Sequence, residues 1–110
     1  MVNDYYPSST DLRPFWEAHA AWSQATFGTD AERGPTGPLK HLAKEVQEVL
    51  NDPKDITEHA DLLLLLCDAT RRSGFTCDQL LAAAWAKLEV NKARKWSVPT
   101  KGDEAVEHVR

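Results

Sequence analysis

The sequence is poor in the features that announce most common chemistries. It has two cysteines, Cys67 and Cys77, without C-x-x-C spacing, which reads as reduced packing residues rather than a disulfide or a metal knuckle. It has no basic excess: 13 Lys and Arg against 17 Asp and Glu give a net charge of -4, so binding to nucleic acid through a positive surface is a poor starting hypothesis. No apolar run approaches the length needed to cross a bilayer, and the opening MVNDYYPSSTD lacks the basic and apolar regions of a signal peptide. The expected location is therefore the cytoplasm, with neither membrane nor nucleic acid as partner. There is no Gly-rich phosphate loop, no H-E-x-x-H and no G-x-S-x-G, which leaves P-loop, zincin and serine-hydrolase chemistry without support. None of His19, His41, His59 or His108 has a glutamate three positions before it, which excludes a ferritin-like di-iron bundle. Strand-like alternation and internal repeats are also missing.

What remains is helical. The 110 residues make one domain, with a core from about 11 to 96 and a polar tail over 97–110, small enough that partner subunits can complete its packing. Asp11 to Phe27 carries Leu12, Phe15, His19, Trp22 and Thr26 on one face, with Trp16, Ala20, Ser23 and Phe27 beside it, and Gly28 stops this first helix. The loop GTDAERGPTG follows, with Thr36, Gly37 and Pro38 as the cap and first turn of a second helix running to about Asn51. Its apolar stripe is Leu39, Leu42, Ala43, Val46, Val49 and Leu50; the opposite stripe is His41, Glu45, Glu48 and Asp52. Asp55 is an N-cap for a third helix that ends at Gly74 after Arg71 and Arg72, cations suited to a helix C-terminus. Thr76 and Gln79 form a capping-box pattern for a fourth, Cys77 to about Lys95. The fold class is all-α, a four-helix bundle completed by oligomerisation.

The third helix poses the chemical question. Leu62 to Leu66 covers the whole circumference of a helix, each residue turning by about 100°, and such a segment is expected to be buried on every side. Yet Asp61 abuts it, and Glu58, Asp61, Leu65, Asp68 and Arg72 fall on one stripe. The second helix offers Glu45 and Glu48, the third Glu58 and Asp61, and a short link between antiparallel neighbours brings the two pairs together. Carboxylates so gathered repel each other and need a counter-charge. A divalent cation supplies it, and hard oxygen ligands select Mg²⁺ or Mn²⁺ over zinc. Solvated acids, or a capping box pairing Glu58 with Asp55, are the bland alternatives. Lys87, Asn91 and Arg94 share a face of the fourth helix and combine two cations with an amide, which suits a polyphosphate and a hydroxyl or base edge. Trp22 and Phe27 offer stacking surfaces for a base; Trp16 and Trp85 are assigned to packing.

Together, E-x-x-E at Glu45 and Glu48, E-x-x-D at Glu58 and Asp61, and K-x-x-x-N-x-x-R-x-W at Lys87, Asn91, Arg94 and Trp96 resemble the MazG-like all-α nucleoside triphosphate pyrophosphohydrolases. Trp22, Phe27-Gly28, His41-Leu42, Lys44-Glu45 and Glu48 look like a compact branch, common in phages, associated with purine deoxynucleotides and including (d)GTP pyrophosphohydrolases. The resemblance covers about Trp16 to Trp96. It implies that Glu45, Glu48, Glu58 and Asp61 are catalytic and hold two or more Mg²⁺ or Mn²⁺ ions. It further implies that Trp22, Phe27, His41, Lys87, Asn91 and Arg94 bind substrate, and that a purine nucleoside triphosphate, dGTP or GTP first and dATP second, gives a monophosphate and pyrophosphate. A dimer or tetramer is also implied. Two departures stand out: Lys44 replaces a frequent glutamate, and the spacer between Glu48 and Glu58 is short, which bears on whether Glu58 reaches the metals. The alternative is a helical assembly or partner-binding protein without catalysis.

Overall fold

A computed structural model describes residues 11–97, 102 and 105–109. The polar N-terminal stretch over 1–10 and positions 98–101, 103, 104 and 110 of the tail lie outside the described residues. The elements are α1 (Leu12–Phe27), α2 (Thr36–Asn51), α3 (Ile56–Arg72) and α4 (Cys77–Ala93), followed by β1 (Lys95–Trp96) and β2 (His108–Val109). The chain separates into two units, one up to Asp78 and one from Gln79 onward. Among the described residues no helix is long and apolar enough to cross a membrane.

Local chemistry explains the boundaries. Asp11 caps α1 by accepting the Arg13 N–H at 3.1 Å. That helix ends where Gly28 takes φ 111°, a conformation that costs a residue with a Cβ. Asp55 caps α3, its carboxylate accepting the Thr57 N–H at 2.9 Å and the Thr57 hydroxyl at 2.6 Å. The Asp55 N–H donates to the Asp52 carbonyl at 3.4 Å rather than to Glu58, so the capping box is not closed. At the other end of α3, Gly74 at φ 97° donates to the Arg71 carbonyl while Phe75 donates to that of Thr70, the paired bonds of a Schellman stop. The start of α2 departs from expectation. Thr36 is the first helical residue rather than the cap; Pro35 holds the cap position without a side-chain bond, its carbonyl accepting the Leu39 N–H at 3.0 Å.

In the first unit α3 is central, packing along α2 and against α1. Among the described residues the buried apolar ones are Trp16, Val49, Cys67, Ala69 and Cys77. Both cysteines are free, as expected, and burial together with the neighbouring Cys77 pushes the Cys67 thiol up to about 11.

Within the single chain the leucine run is only partly covered: Leu62, Leu64 and Leu65 are half-buried, and Leu63 and Leu66 are exposed, because α1 and α2 cover only part of the circumference of α3. Two expectations are corrected. Asp61, read as the edge of a buried segment, is exposed. Trp85, assigned to packing, is 68% exposed on α4, whereas Trp16 is buried as expected. The tail also forms regular structure. Lys95 pairs with Val109 and Trp96 with His108 in an antiparallel ladder, backed by the edge-on Trp96–His108 ring contact. Two-residue strands leave no alternation for a sequence pattern to carry.

Within the first unit Arg72 ties α1, the loop after it and α3 together. Its side chain is 1% exposed, and all five guanidinium N–H donors are used. Nε donates to Asp68 Oδ2 at 3.2 Å, Nη1 to the Thr29 and Arg33 carbonyls at 3.2 Å each, and Nη2 to Ser23 Oγ and the Gly28 carbonyl at 3.0 Å each. Ser23 Oγ donates to Asp68 Oδ1 at 2.7 Å. Arg71 bridges the carboxylates of Asp68 and Asp30. Burial would raise the Asp68 pKa, but hydrogen bonds from Ser23, Arg71 and Arg72 outweigh it and hold the group below the usual carboxylate range. Its stabilising contribution is complete above the ordinary aspartate range and is lost as pH falls through the lower folded-state value. Arg72→Ala is expected to lower stability by about 3–5 kcal/mol, since it leaves buried acceptors unpaired. Arg72→Lys should recover little of this, because an ammonium cannot replace the five-donor fork. Urea denaturation checks both, and a loss of about 1 kcal/mol or less, the scale of a surface ion pair, would contradict the network's role.

Candidate active site

The four-residue link Asp52–Asp55 folds α3 back along α2, and this sets the expected acidic stripes side by side. Glu45, Glu48 and Glu58 each bring an oxygen to within 4.8 Å of the others. The short spacer therefore leaves Glu58 beside the two glutamates of α2. Asp61 is not within that group; its charge acts on Glu58, and it lines the adjoining cavity with Glu45.

The electrostatics show a site short of positive charge. Glu48 is pushed above the usual glutamate range by the hydrogen bond it shares with Glu45, then by that neighbour's charge, with a smaller contribution from Glu58. Glu58 is raised first by burial and then by Asp55, Asp61, Glu45 and Asp52. Glu45 Oε1 accepts from His41 Nε2 at 3.1 Å, while Glu45 Oε2 and Glu58 Oε2 are buried without a partner. Two orphaned carboxylate oxygens facing a third glutamate are what a divalent cation would satisfy, and the all-oxygen donor set suits Mg²⁺ or Mn²⁺.

Next to these acids lies a cavity of about 230 Å³ lined by Trp22, Phe27, His41, Glu45 and Asp61, together with His19, Leu64, Leu65 and Asp68. Trp22 and Phe27, 56% and 49% exposed, meet edge to face with centroids 5.3 Å apart, so one ring face of each is free of the other. A neighbouring cavity of about 440 Å³ shares Phe27, His41, Leu65 and Asp68 and extends under Arg33, Gly34 and the first turn of α2. Seven of the ten residues expected at the site are thus brought together in the first unit, five on the cavity and Glu48 and Glu58 beside Glu45. Lys87 and Asn91 on α4, and Arg94 just past its end, belong to the second unit. There Arg94 Nη1 donates to Asn91 Oδ1 at 3.3 Å, and Trp96 Nε1 donates to the Asn91 carbonyl at 2.8 Å.

Sequence reasoning missed His19, Asp68 and the roles of Arg71 and Arg72. The last two were assigned to the helix dipole, although Asp68 stands three and four residues before them, the spacing of intrahelical ion pairs. His19 carried no signal beyond its place on an aromatic face.

A family model described as dATP/dGTP pyrophosphohydrolase matches residues 15–110. The chain belongs to that family. Residues 15–110 therefore carry that family's domain. The fold agrees with that of a solved structure, a cyanophage S-2L MazG-like pyrophosphohydrolase bound to dGDP and three catalytic Mn²⁺ ions per active site. The TM-score is 0.71 and the identity 26%, over 91% of this chain and 94% of the other. The Eaa protein of Salmonella phage P22 is 48% identical over 85 residues, which are 77% of this chain and 26% of that protein. The chain thus spans about a quarter of the length of this curated relative.

The raised carboxyls give a pH signature. Glu58 titrates above its unfolded value, so its contribution to stability is present below the usual glutamate range and lost as pH rises through the higher folded value. The metal-free Glu58→Gln variant is expected to have a higher Tm than wild type at pH 7, with the gap closing as pH drops below the glutamate range. Calorimetry in chelator across that interval checks it; a variant less stable than wild type at pH 7 would show that the cluster carries no net repulsion.

Proposed function

We propose that this family member hydrolyses a purine nucleoside triphosphate, dGTP or GTP first and dATP second, to the monophosphate and pyrophosphate in the cytoplasm. Glu45, Glu48, Glu58 and Asp61 hold two or more Mg²⁺ or Mn²⁺ ions. The observation that carries this is the three-glutamate group with two orphaned buried oxygens beside an aromatic-walled cavity. The family match and the dGDP- and Mn²⁺-bound structural neighbour support it.

Bound at these carboxylates, divalent ions neutralise the triphosphate and lower the pKa of an attacking water. The rest falls to the chain. Glu45 is oriented by His41, which leaves its second oxygen for coordination. Asp61, open to the cavity, extends the acidic set toward the substrate. Trp22 and Phe27 hold the base by stacking, which excludes water but tolerates any base. Lys87, Asn91 and Arg94 are proposed for the phosphates and sugar on their chemistry, two cations and an amide.

The decisive assay is pyrophosphate release from each common NTP and dNTP in Mg²⁺ or Mn²⁺. Glu48→Gln and Asp61→Asn are expected to lower kcat/KM by about a thousandfold or more, on the scale of losing charge stabilisation at the reacting centre, while circular dichroism stays unchanged. Orthophosphate as the first product, or full activity in both variants, would overturn the assignment.

The chain is also proposed to act as a dimer or tetramer. Leu63 and Leu66 on α3, and separately Leu81, Trp85, Leu88 and Val90 on α4, are all exposed in the single chain, a quantity of apolar surface that favours a second copy. Sedimentation at micromolar concentration is expected to give no monomer boundary. A stable monomer would sink this part of the proposal.

A further inference from the structure

The 230 Å³ cavity has a polar wall that neither the acidic group nor the aromatic stack accounts for. His19 lines it, is 8% exposed, and has its Nδ1 buried without a hydrogen-bond partner. The ring lies between Phe15 and Trp22, at centroid distances of 6.2 and 6.1 Å. Buried polar atoms almost always pair, and here no protein bond at Nδ1 fixes the tautomer or the orientation of the imidazole. A molecule entering the cavity would set both.

Asp68 lines the same cavity. Its Oδ1 accepts from Ser23 and Arg71 and its Oδ2 from Arg72 Nε. A carboxylate has about four lone-pair positions, so one acceptor position on Oδ2 is left. No Lys, Arg, Asn or Gln side chain is among the lining residues. The wall is therefore rich in acceptors, and it suits a base edge that presents neighbouring N–H donors. Guanine has N1–H next to its 2-amino group; adenine lacks that amino group and has a bare N1, whose lone pair would face the carboxylate. Burial above all, opposed by the Asp68 charge and aided by those of Arg71 and Arg72, keeps His19 below its usual pKa and hence able to accept.

Resting on the pyrophosphohydrolase function above, we propose that His19 and Asp68 are the specificity-determining pair of the nucleotide cavity and accept the N1–H and 2-amino donors of guanine. Stacking by Trp22 and Phe27 supplies affinity for any base, and this pair supplies the choice among them. A donor missing from the base leaves a buried acceptor unpaired, which is penalised more heavily than an apolar mismatch.

The test compares kcat/KM for dGTP, dITP and dATP in the wild-type protein and in His19→Phe, which keeps an aromatic ring between Phe15 and Trp22. In wild type, dITP, which lacks only the 2-amino group, is expected to fall about tenfold or more below dGTP, and dATP likewise. In His19→Phe the dGTP-to-dATP ratio is expected to drop by about tenfold. Equal values for dGTP and dITP in wild type would overturn the proposal, and this arm needs no variant to fold. So would an unchanged dGTP-to-dATP ratio in His19→Phe, the result if His19 only packs. Pyrophosphate release without base discrimination overturns the base-reading pair alone, whereas no release from any nucleotide overturns the underlying function and the pair with it.

Discussion

A buried guanidinium cannot shed its charge, so the chain around it has to deliver an acceptor to each of its five donors in a fixed planar fork. Arg72 imposes that requirement on the first unit. Three of its acceptors are backbone carbonyls of the loop after α1, one is Ser23 within α1, and one is Asp68 a turn earlier on α3. The loop leaves α1 immediately after Phe27, so the same fork that fixes Gly28 also holds the end of the helix that presents Trp22 and Phe27 to the cavity. The aromatic wall is thus positioned by a charge network more than by a hydrophobic core, which among the described residues of this unit amounts to few fully buried apolar side chains.

Along α3 the negative charge of one stripe is treated in two opposite ways. At the C-terminal end Asp68 is fully compensated by Arg71, Arg72 and Ser23 and is held ionised. At the N-terminal end Glu58 has no cation to balance it, and with Glu45 and Glu48 it forms a group whose charges oppose one another. One helix therefore carries a finished salt-bridge network and an unfinished acidic site, with the cavity lying between them. Stability is concentrated at one end, and the capacity to recruit a cation at the other.

Much of this was legible in the sequence. The four helices follow from apolar periodicity and from Asp11, Gly28, Asp55 and Gly74, each of which sits where a cap or a positive φ requires it. The approach of Glu45, Glu48 and Glu58 follows from i, i+3 spacing on two helices joined by a short link, and Trp22, Phe27 and His41 line one cavity, with α1 ending and α2 beginning on either side of a short loop. Other features depend on tertiary partners that spacing does not reveal. Ser23 and His19 look alike in the pattern of α1, yet one is spent inside the Arg72 network and the other faces the cavity unpaired. Pro35 starts α2 by backbone geometry, leaving no side-chain cap to recognise. The leucine run predicted burial, but burial needs covering surface, and helices α1 and α2 provide only part of it.

Cys67 lies in the middle of α3, fully enclosed, with its thiol pushed up to about 11. At neutral pH almost none of it is thiolate, and none of it can be touched while the helix is seated. A thiol reagent would therefore reach it only in the moments when the chain around α3 opens, and the pace of labelling would count those openings rather than the chemistry of the sulfur. The protein carries its own clock for local unfolding, set in the helix that links its charge network to its acidic group.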